Sequence, residues 1–388
     1  MMIEVKGIHF ANQGAVLMLM ATLQRLRQAF PQARFVIEPR APYPDRARFG
    51  LYQKLWGKRL GIEIGTLGGM VPNSVRNKFG VVVDAEVDTI LDLSGFAYSD
   101  SWGPAKIKNR MANHIGQWKR QGKQVILLPQ ALGPFENAAV REAFGAIVEH
   151  ADLIFARDPQ SLAYVEGAYG KRDNVKLGPD FSAIVSGYLP ADRDRFRGRS
   201  CLIPNIRMMD KTSGDLSGRY VEEMAGALAR MDKEGTRPFV LVHEGAEDYE
   251  LAEKIVAASG TGTEIVHETD PLITKGILGT TAFLVGSRFH GLVNALCQGV
   301  PVLGIGWSHK YRMLLRDYDS EDLLVDPNKP AAGSLAAMLD PLLDADERGR
   351  RQARIVEAGR VQKDAIEAMW QEVIDRLKAS SVDRRLSA

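Results

Sequence analysis

The chain has 388 residues, 45% of them hydrophobic and 25% charged, which is ordinary globular usage and, at roughly 100–200 residues per domain, implies two domains. Its 50 Lys+Arg against 48 Asp+Glu leave a net charge of +2, so no global field draws it to nucleic acid or an anionic membrane, and any electrostatic function must be local. The two cysteines, Cys201 and Cys297, lie far apart and outside any metal-ligand spacing, which excludes a disulfide framework and a cysteine-based zinc site; both read as buried thiols.

The amino terminus MMIEVKGIHF carries Glu4 and Lys6 inside its apolar run, which excludes a signal-peptide core and reads as a first strand. Strands are expected near Ile3–Ile8, Arg34–Ile37, Thr89–Leu93, Gln124–Leu128 and Asp152–Phe155, with helices near Gly14–Ala29, Pro104–Arg120, Ala138–Glu149 and Pro159–Gly167. The polar span from Arg40 to Asn77 offers no readable period. SGYLPADRDRFRGR (Ser186–Arg199), rich in charge with Gly and Pro, reads as a linker between domains 1–187 and 188–388. Alternation then restarts, with strands near Cys201–Pro204, Phe239–His243, Glu264–Val266, Phe283–Val285 and Val300–Ile305. Helices are expected near Ser217–Glu234, Asp248–Ala258, Pro271–Gly279 and Arg288–Gln298. A helical region from Ala331 to about Leu377 follows, and the tail SSVDRRLSA reads as frayed.

Strands alternating with helices imply an α/β fold built on mainly parallel sheets. Two doubly wound halves put the ligand at the strand carboxyl ends, so strand-to-helix turns matter most. No stretch reaches the length of a membrane span, and the cytoplasm is the expected location.

GSRFHGLVNALCQGVPVLGIGWSHK (Gly286–Lys310) contains no carboxylate, and none occurs between Asp270 and Asp317. The same window holds Lys275, Arg288, Lys310, Arg312 and Arg316, a composition that suits an anionic ligand. A strand ending at Gly286 is followed by Ser287, a good N-cap residue, and Phe289, Leu292, Val293 and Leu296 recur at helical spacing as a buried face. Arg288 and His290 then fall in the first turn, beside free backbone N–H groups and the positive helix end, which together make an anion site. The next strand leads to GWSHK, which brings His309 and Lys310 to a neighbouring turn.

This segment resembles the carboxyl-terminal signature of the polysaccharide pyruvyl transferases, with its S-R-x-H-G core, A-L-x-x-G-x-P-V turn and later lysine. Upstream, LLPQALGPF (Leu127–Phe135), IFARDPQSLAYV (Ile154–Val165) and GPDFS (Gly178–Ser182) are similar to further family elements in the same order. The resemblance implies two Rossmann-like domains of GT-B glycosyltransferase type, the first on the acceptor side and the second holding the donor phosphate. It implies transfer of the pyruvyl unit of phosphoenolpyruvate to a sugar or glycan acceptor, free or lipid-linked, as a ketal, with no metal and no cofactor. Two places depart from the pattern. FANQGAVLMLMA resembles the family's Asn-x-Gly turn through Asn12 and Gly14, but Ala15 stands where many members carry an acid. DLSGFAYSD (Asp92–Asp100) has one glycine where a Gly-rich turn is usual.

Ketal formation needs the donor's phosphate and carboxylate held, a proton delivered to its methylene carbon and a sugar hydroxyl deprotonated. Arg288, His290 and Lys310 suit the departing phosphate, and Arg157 joins them as a donor ligand on the strength of the resemblance. His290, Asp180 and Asp100 are the acid–base candidates. Gln130 is a candidate acceptor contact and His114 a candidate donor-site residue. Each has a plainer reading: Arg288 paired with a distant carboxylate, Arg157 paired with Asp158, Asp180 and Asp100 as turn residues, His114 as an exposed helix histidine. Two other functions compete. One is a GT-B glycosyltransferase using a nucleotide sugar, against which the acid-free window argues; the other is a non-catalytic ligand-binding relative.

Overall fold

Continuous apolar runs make the strands: Ile3 to Val5, Thr89 to Asp92 and Val125 to Leu128 are buried residue after residue, the pattern of parallel strands covered on both faces. The computed structural model describes the chain apart from residues 40, 56–57, 60–61, 64–68, 211–214, 328–333 and 387–388. Its strands are β1 (Met2–Lys6), β2 (Arg34–Ile37), β3 (Tyr52–Lys54), β4 (Lys58–Arg59), β5 (Ile62–Glu63), β6 (Val81–Val82), β7 (Thr89–Asp92), β8 (Gln124–Gln130), β9 (Leu153–Ala156) and β10 (Val175–Leu177). Then come β11 (Ser200–Ile203), β12 (Phe239–Val242), β13 (Ile265–His267), β14 (Phe283–Gly286), β15 (Val302–Ile305) and β16 (Leu324–Val325).

One sheet has eight strands in the order β10-β9-β8-β7-β1-β2-β3-β6, and a second has six in the order β13-β12-β11-β14-β15-β16. Every pairing in both is parallel. In the second sheet the chain order across the strands is 3-2-1-4-5-6, the Rossmann arrangement, and its direction reverses between β11 and β14. The first sheet reverses between β1 and β7. The expected α/β class with two Rossmann-like halves is therefore present. β3, inside the unreadable span, and β6, just beyond it, extend the first sheet; the residues of that span named above as undescribed stand outside this account.

Contacts divide the chain into one unit of Met1–Phe10, Met18–Phe181 and Ile366–Ala388, and another of Ala11–Leu17 and Ser182–Ala365. This differs from a single cut at 187 in where the boundary falls and in two exchanged segments. The stretch expected to be a linker is part of the second unit, because Phe196 is buried against Phe239 with ring centroids 4.7 Å apart and Lys275 Nζ donates to the Ser182 carbonyl at 2.9 Å. Ile366–Ala388 joins the first unit through Trp370, whose ring meets Phe181 edge-on at 5.5 Å. The start of the expected carboxyl-terminal helical region, residues 331–333, lies outside the described residues; the long helix is Ala345–Leu386.

The expected helix Pro104–Arg120 is interrupted: an α-turn Gly103–Ile107 passes into a π-turn Lys108–Ala112 before the helix Asn113–Arg120. Both cysteines are buried and free. Among the described residues no helix is long and apolar enough to cross a membrane.

Candidate functional site

In the second unit, β14 ends at Gly286 and the helix Phe289–Leu296 follows, with Arg288 rather than Ser287 at its N-cap and no side-chain cap. Ser287 is otherwise engaged. Its hydroxyl pairs with that of Tyr220, and its carbonyl accepts from Asn205 Nδ2 at 2.8 Å and from the Tyr311 hydroxyl at 3.0 Å. Asn205 follows β11, so this bond ties together the two loops at the switch point. Gly306 has no Cβ because one would overlap the Tyr311 ring.

The positive charge of Arg288, uncompensated in the sequence window, is compensated in space. Its Nε donates to Asp248 Oδ2 at 2.7 Å, Nη2 to Asp248 Oδ1 at 2.6 Å and Nη1 to Glu244. Both carboxylates come from the turn and helix after β12, the helix being Gly245–Ser259. Asp248 is fully buried, whereas the Glu244 side chain is 29% exposed. Burial opposes the arginine's charge, but the bonds and charges of Asp248 and Glu244 prevail and raise its pKa. The plainer expectation for Arg288, a distant carboxylate partner, thus matches the contacts of its guanidinium.

Asn12 Nδ2 donates to the other oxygen of Glu244 at 3.1 Å, while its Oδ1 accepts from the Ala15 amide at 3.0 Å, closing the first turn of the helix Gln13–Ala29. Gly14 seats His290: a Cβ on residue 14 would overlap the imidazole. The Asn-x-Gly turn therefore positions two groups of the candidate site, one through Glu244 and one directly. His243, which follows β12, was not singled out from the sequence. It is buried, and burial first, then the charges of Arg288 and His290, lower its pKa to about 3. A neutral imidazole results, beside a charged guanidinium.

The remaining cations of the window divide. Lys310, at the start of the helix His309–Asp317, places its ammonium 5.1 Å from the Phe289 ring centre, 5.3 Å from Tyr311 and 5.7 Å from Trp307, within cation–π range. Since β14 and β15 are parallel neighbours, the turns bearing Arg288 and Lys310 follow adjacent strands, as expected. Lys275 is buried and tethers Ser182, Arg312 pairs with Glu321 at 3.0 Å, and Arg316 is exposed.

In the first unit Arg157 follows β9 and donates to Asp180 at 3.0 Å, both side chains being almost buried. Asp158 caps the helix Pro159–Tyr169, accepting from the Ser161 amide at 2.7 Å. Asp100 accepts from the amides of Glu136 at 2.8 Å and Asn137 at 3.3 Å. Gln130 is buried at the end of β8, and its carbonyl accepts the Arg157 amide at 3.0 Å. His114 stacks on Trp118 at 5.6 Å, and its pKa is lowered by burial and then by Lys6 and Lys54.

A second polar cluster, unread in the sequence, stands at the β1/β7 reversal. Asp92 accepts from the hydroxyls of Ser94 and Tyr98; Arg110, carried on the π-turn, donates to Ser94; and Lys6 pairs with Glu38. Gly7, at φ +87°, passes so near Ser94 that a Cβ would meet it at 2.7 Å. Among the described residues no group of three His, Cys, Asp or Glu side chains is placed to hold a metal ion.

The sequence profile of the polysaccharide pyruvyl transferases matches residues 12–309. The chain belongs to the polysaccharide pyruvyl transferase family. The matched stretch begins at Asn12 and takes in every candidate residue except Lys310. Among curated proteins the chain is similar to the amylovoran biosynthesis protein AmsJ of Erwinia amylovora, 20% identical over 297 residues, covering 71% of this chain and 70% of that one. Among solved structures it is similar to HepE of Anabaena in complex with UDP and glucose, with a TM-score of 0.58 at 10% identity, covering 97% and 99% of the two chains. It is also similar to MnaA of S. aureus with UDP, with a TM-score of 0.56 at 14% identity, covering 92% and 93%. At these identities the structural likeness establishes the fold, of GT-B type, and the ligands named belong to those proteins.

Family membership makes the chain a transferase of polysaccharide biosynthesis. It also replaces one argument from sequence: the acid-free window does not keep carboxylates away from this edge, because Glu244 and Asp248 stand on it. The signal that could have found them is the turn VHEGAED (Val242–Asp248), a third strand-to-helix junction of the same sheet carrying a histidine and three acids.

Proposed function

We propose that the chain transfers the pyruvyl unit of phosphoenolpyruvate onto two hydroxyls of one sugar unit in a polysaccharide, glycolipid or precursor, forming a ketal. The C–O bond to phosphate breaks, and two C–O bonds form between the pyruvyl C2 and the sugar oxygens. Of the two hydroxyl protons, one ends on the methylene carbon, which becomes methyl, and the other on the phosphate. The reading uses no metal and no cofactor. It places the chain in the cytoplasm, at a membrane surface only when the acceptor is lipid-linked.

The observation that carries it is Arg288 at the N-cap of the helix Phe289–Leu296, with His290 in the first turn, at the carboxyl edge where the second sheet reverses. A helix N-terminus with its backbone amides and positive dipole end, next to an arginine, favours an anion there. Arg288 and Lys310 hold the departing phosphate, gaining strength as charge moves onto it. His290 is the first acid–base candidate, because it stands in the first turn of the helix Phe289–Leu296 beside Arg288; Asp180 pairs with Arg157, and Asp100 accepts from backbone amides. Arg157, Gln130 and His114 are proposed substrate contacts.

Phosphate release from phosphoenolpyruvate, measured with a panel of glycan acceptors, tests the reaction. Acceptor-dependent release supports it. Binding of a nucleotide sugar with no phosphoenolpyruvate turnover would favour glycosyl transfer, and donor binding with no turnover on any acceptor a non-catalytic relative.

A further inference from the structure

We infer that Glu244 is a resident competitor for the anion site of Arg288, a carboxylate that occupies the guanidinium and that an entering anion displaces. The inference rests on the reading of Arg288 as a ligand of the donor's anionic group.

The two carboxylates on Arg288 differ in every respect that decides which can leave. Asp248 takes two bonds from the guanidinium, at 2.7 and 2.6 Å, and a third from the Ile206 amide at 3.0 Å, with no exposure to water. Withdrawn from Arg288, it would be a buried charge without a counter-ion. Glu244 takes one bond from Nη1 and one from Asn12 Nδ2 at 3.1 Å, and 29% of its side chain is exposed. Water can replace both bonds. Although Glu244 occupies the N-cap position of the helix Gly245–Ser259, its side chain caps no amide, so its departure strips nothing from that helix.

With both carboxylates in place, one cation faces two anions, and the local field repels a third anion. With Glu244 turned out to water the cation is balanced by Asp248 alone, and Nη1 is open toward solvent. An anion therefore enters only if it outcompetes Glu244. The consequence is a weakened apparent affinity for every anion: free phosphate, the weaker binder, needs a higher concentration to fill the site, and the return of Glu244 favours departure of the phosphate product.

The test titrates the full-length protein, Glu244→Gln, Glu244→Ala and Asp248→Asn with phosphoenolpyruvate and with inorganic phosphate in a calorimeter, after thermal melts confirm folding. Removing a competing charge near the surface is expected to tighten both anions by about tenfold and to strengthen product inhibition by phosphate to a similar extent. Asp248→Asn should weaken both. Opposite signs for two carboxylates on one guanidinium are what a purely structural pair would not give. If folded Glu244→Gln and Glu244→Ala bind both anions no more tightly than the wild type, the inference is overturned, and phosphoenolpyruvate binding by the wild type would leave the proposed function standing. Tighter phosphate binding by the variants with no phosphoenolpyruvate turnover by any form would sustain the competitor and reject the donor. Absence of anion binding in every form overturns both.

Discussion

Arg157 and Arg288 each stand just beyond the end of a parallel strand, Arg157 after β9, two strands from the reversal of the first sheet, and Arg288 after β14, at the reversal of the second, and they are held differently. Arg157 shares one ion pair with Asp180, the two side chains being 5% and 8% exposed. Arg288 meets one buried and one partly exposed carboxylate, Asp248 and Glu244. The first arrangement is a pair of which both members are nearly buried. The second is half fixed and half exchangeable. Arginines just beyond parallel strands of the two sheets thus differ in what they can offer a ligand, and the difference lies in the burial of their partners.

The comparison is sharpened first by alanine substitution of the carboxylates. Asp248→Ala and Asp180→Ala should each cost about 3–5 kcal/mol in urea unfolding, since each removes a buried carboxylate from a nearly buried arginine, whereas Glu244→Ala should cost less than about 1 kcal/mol. Equal losses at Asp248 and Glu244 would erase the distinction between fixed and exchangeable partners. Next in size, Gly14→Ala should destabilise by about 1–3 kcal/mol, because its methyl group must push the His290 ring aside, and should lower kcat. A variant that melts like the wild type and turns over normally would mean that His290 is not seated there.

The pH dependence of stability gives a third handle. The folded-state pKa of His243, about 3, lies below the ordinary value of 6.5. Between these limits the unfolded chain binds the proton more tightly, so the stability present above pH 6.5 is lost as pH falls toward 3. The slope contributed approaches about 1.4 kcal/mol per pH unit, and His243→Gln should flatten the profile in that window; an unchanged profile would mean the imidazole is not held neutral. The smallest expected effect belongs to Lys310→Gln, at about 0.5–1 kcal/mol for its ring contacts. Its phosphoenolpyruvate affinity should nonetheless fall, and unaltered affinity would leave the lysine a packing residue.

Much of the fold was legible because parallel strands covered on both faces appear as unbroken apolar runs. Arg34–Ile37 and the helix starting at Ala138 match their expected limits. β3 and β6, three and two residues long, are too short to carry a period, and the π-turn at Lys108–Ala112 leaves no mark on a helical pattern. At the site, the anion-friendly turn of Arg288 and His290 was readable because glycine, arginine and apolar helix spacing are local features. Its carboxylate partners were not, since Asp248 and Glu244 lie 40 and 44 residues upstream and only the sheet order brings their turn alongside. Ser287 misled for a related reason: its N-cap chemistry is real, but Tyr220 takes the hydroxyl.

The most direct test of the central claim is calorimetric titration of the wild type and Arg288→Lys with phosphoenolpyruvate, with a nucleotide sugar as control. Lysine keeps a charge for Asp248 but lacks the planar fork. The account predicts selective phosphoenolpyruvate binding by the wild type, weakened at least about tenfold in folded Arg288→Lys. Undiminished phosphoenolpyruvate affinity in that variant, or preference of the wild type for the nucleotide sugar, would contradict it.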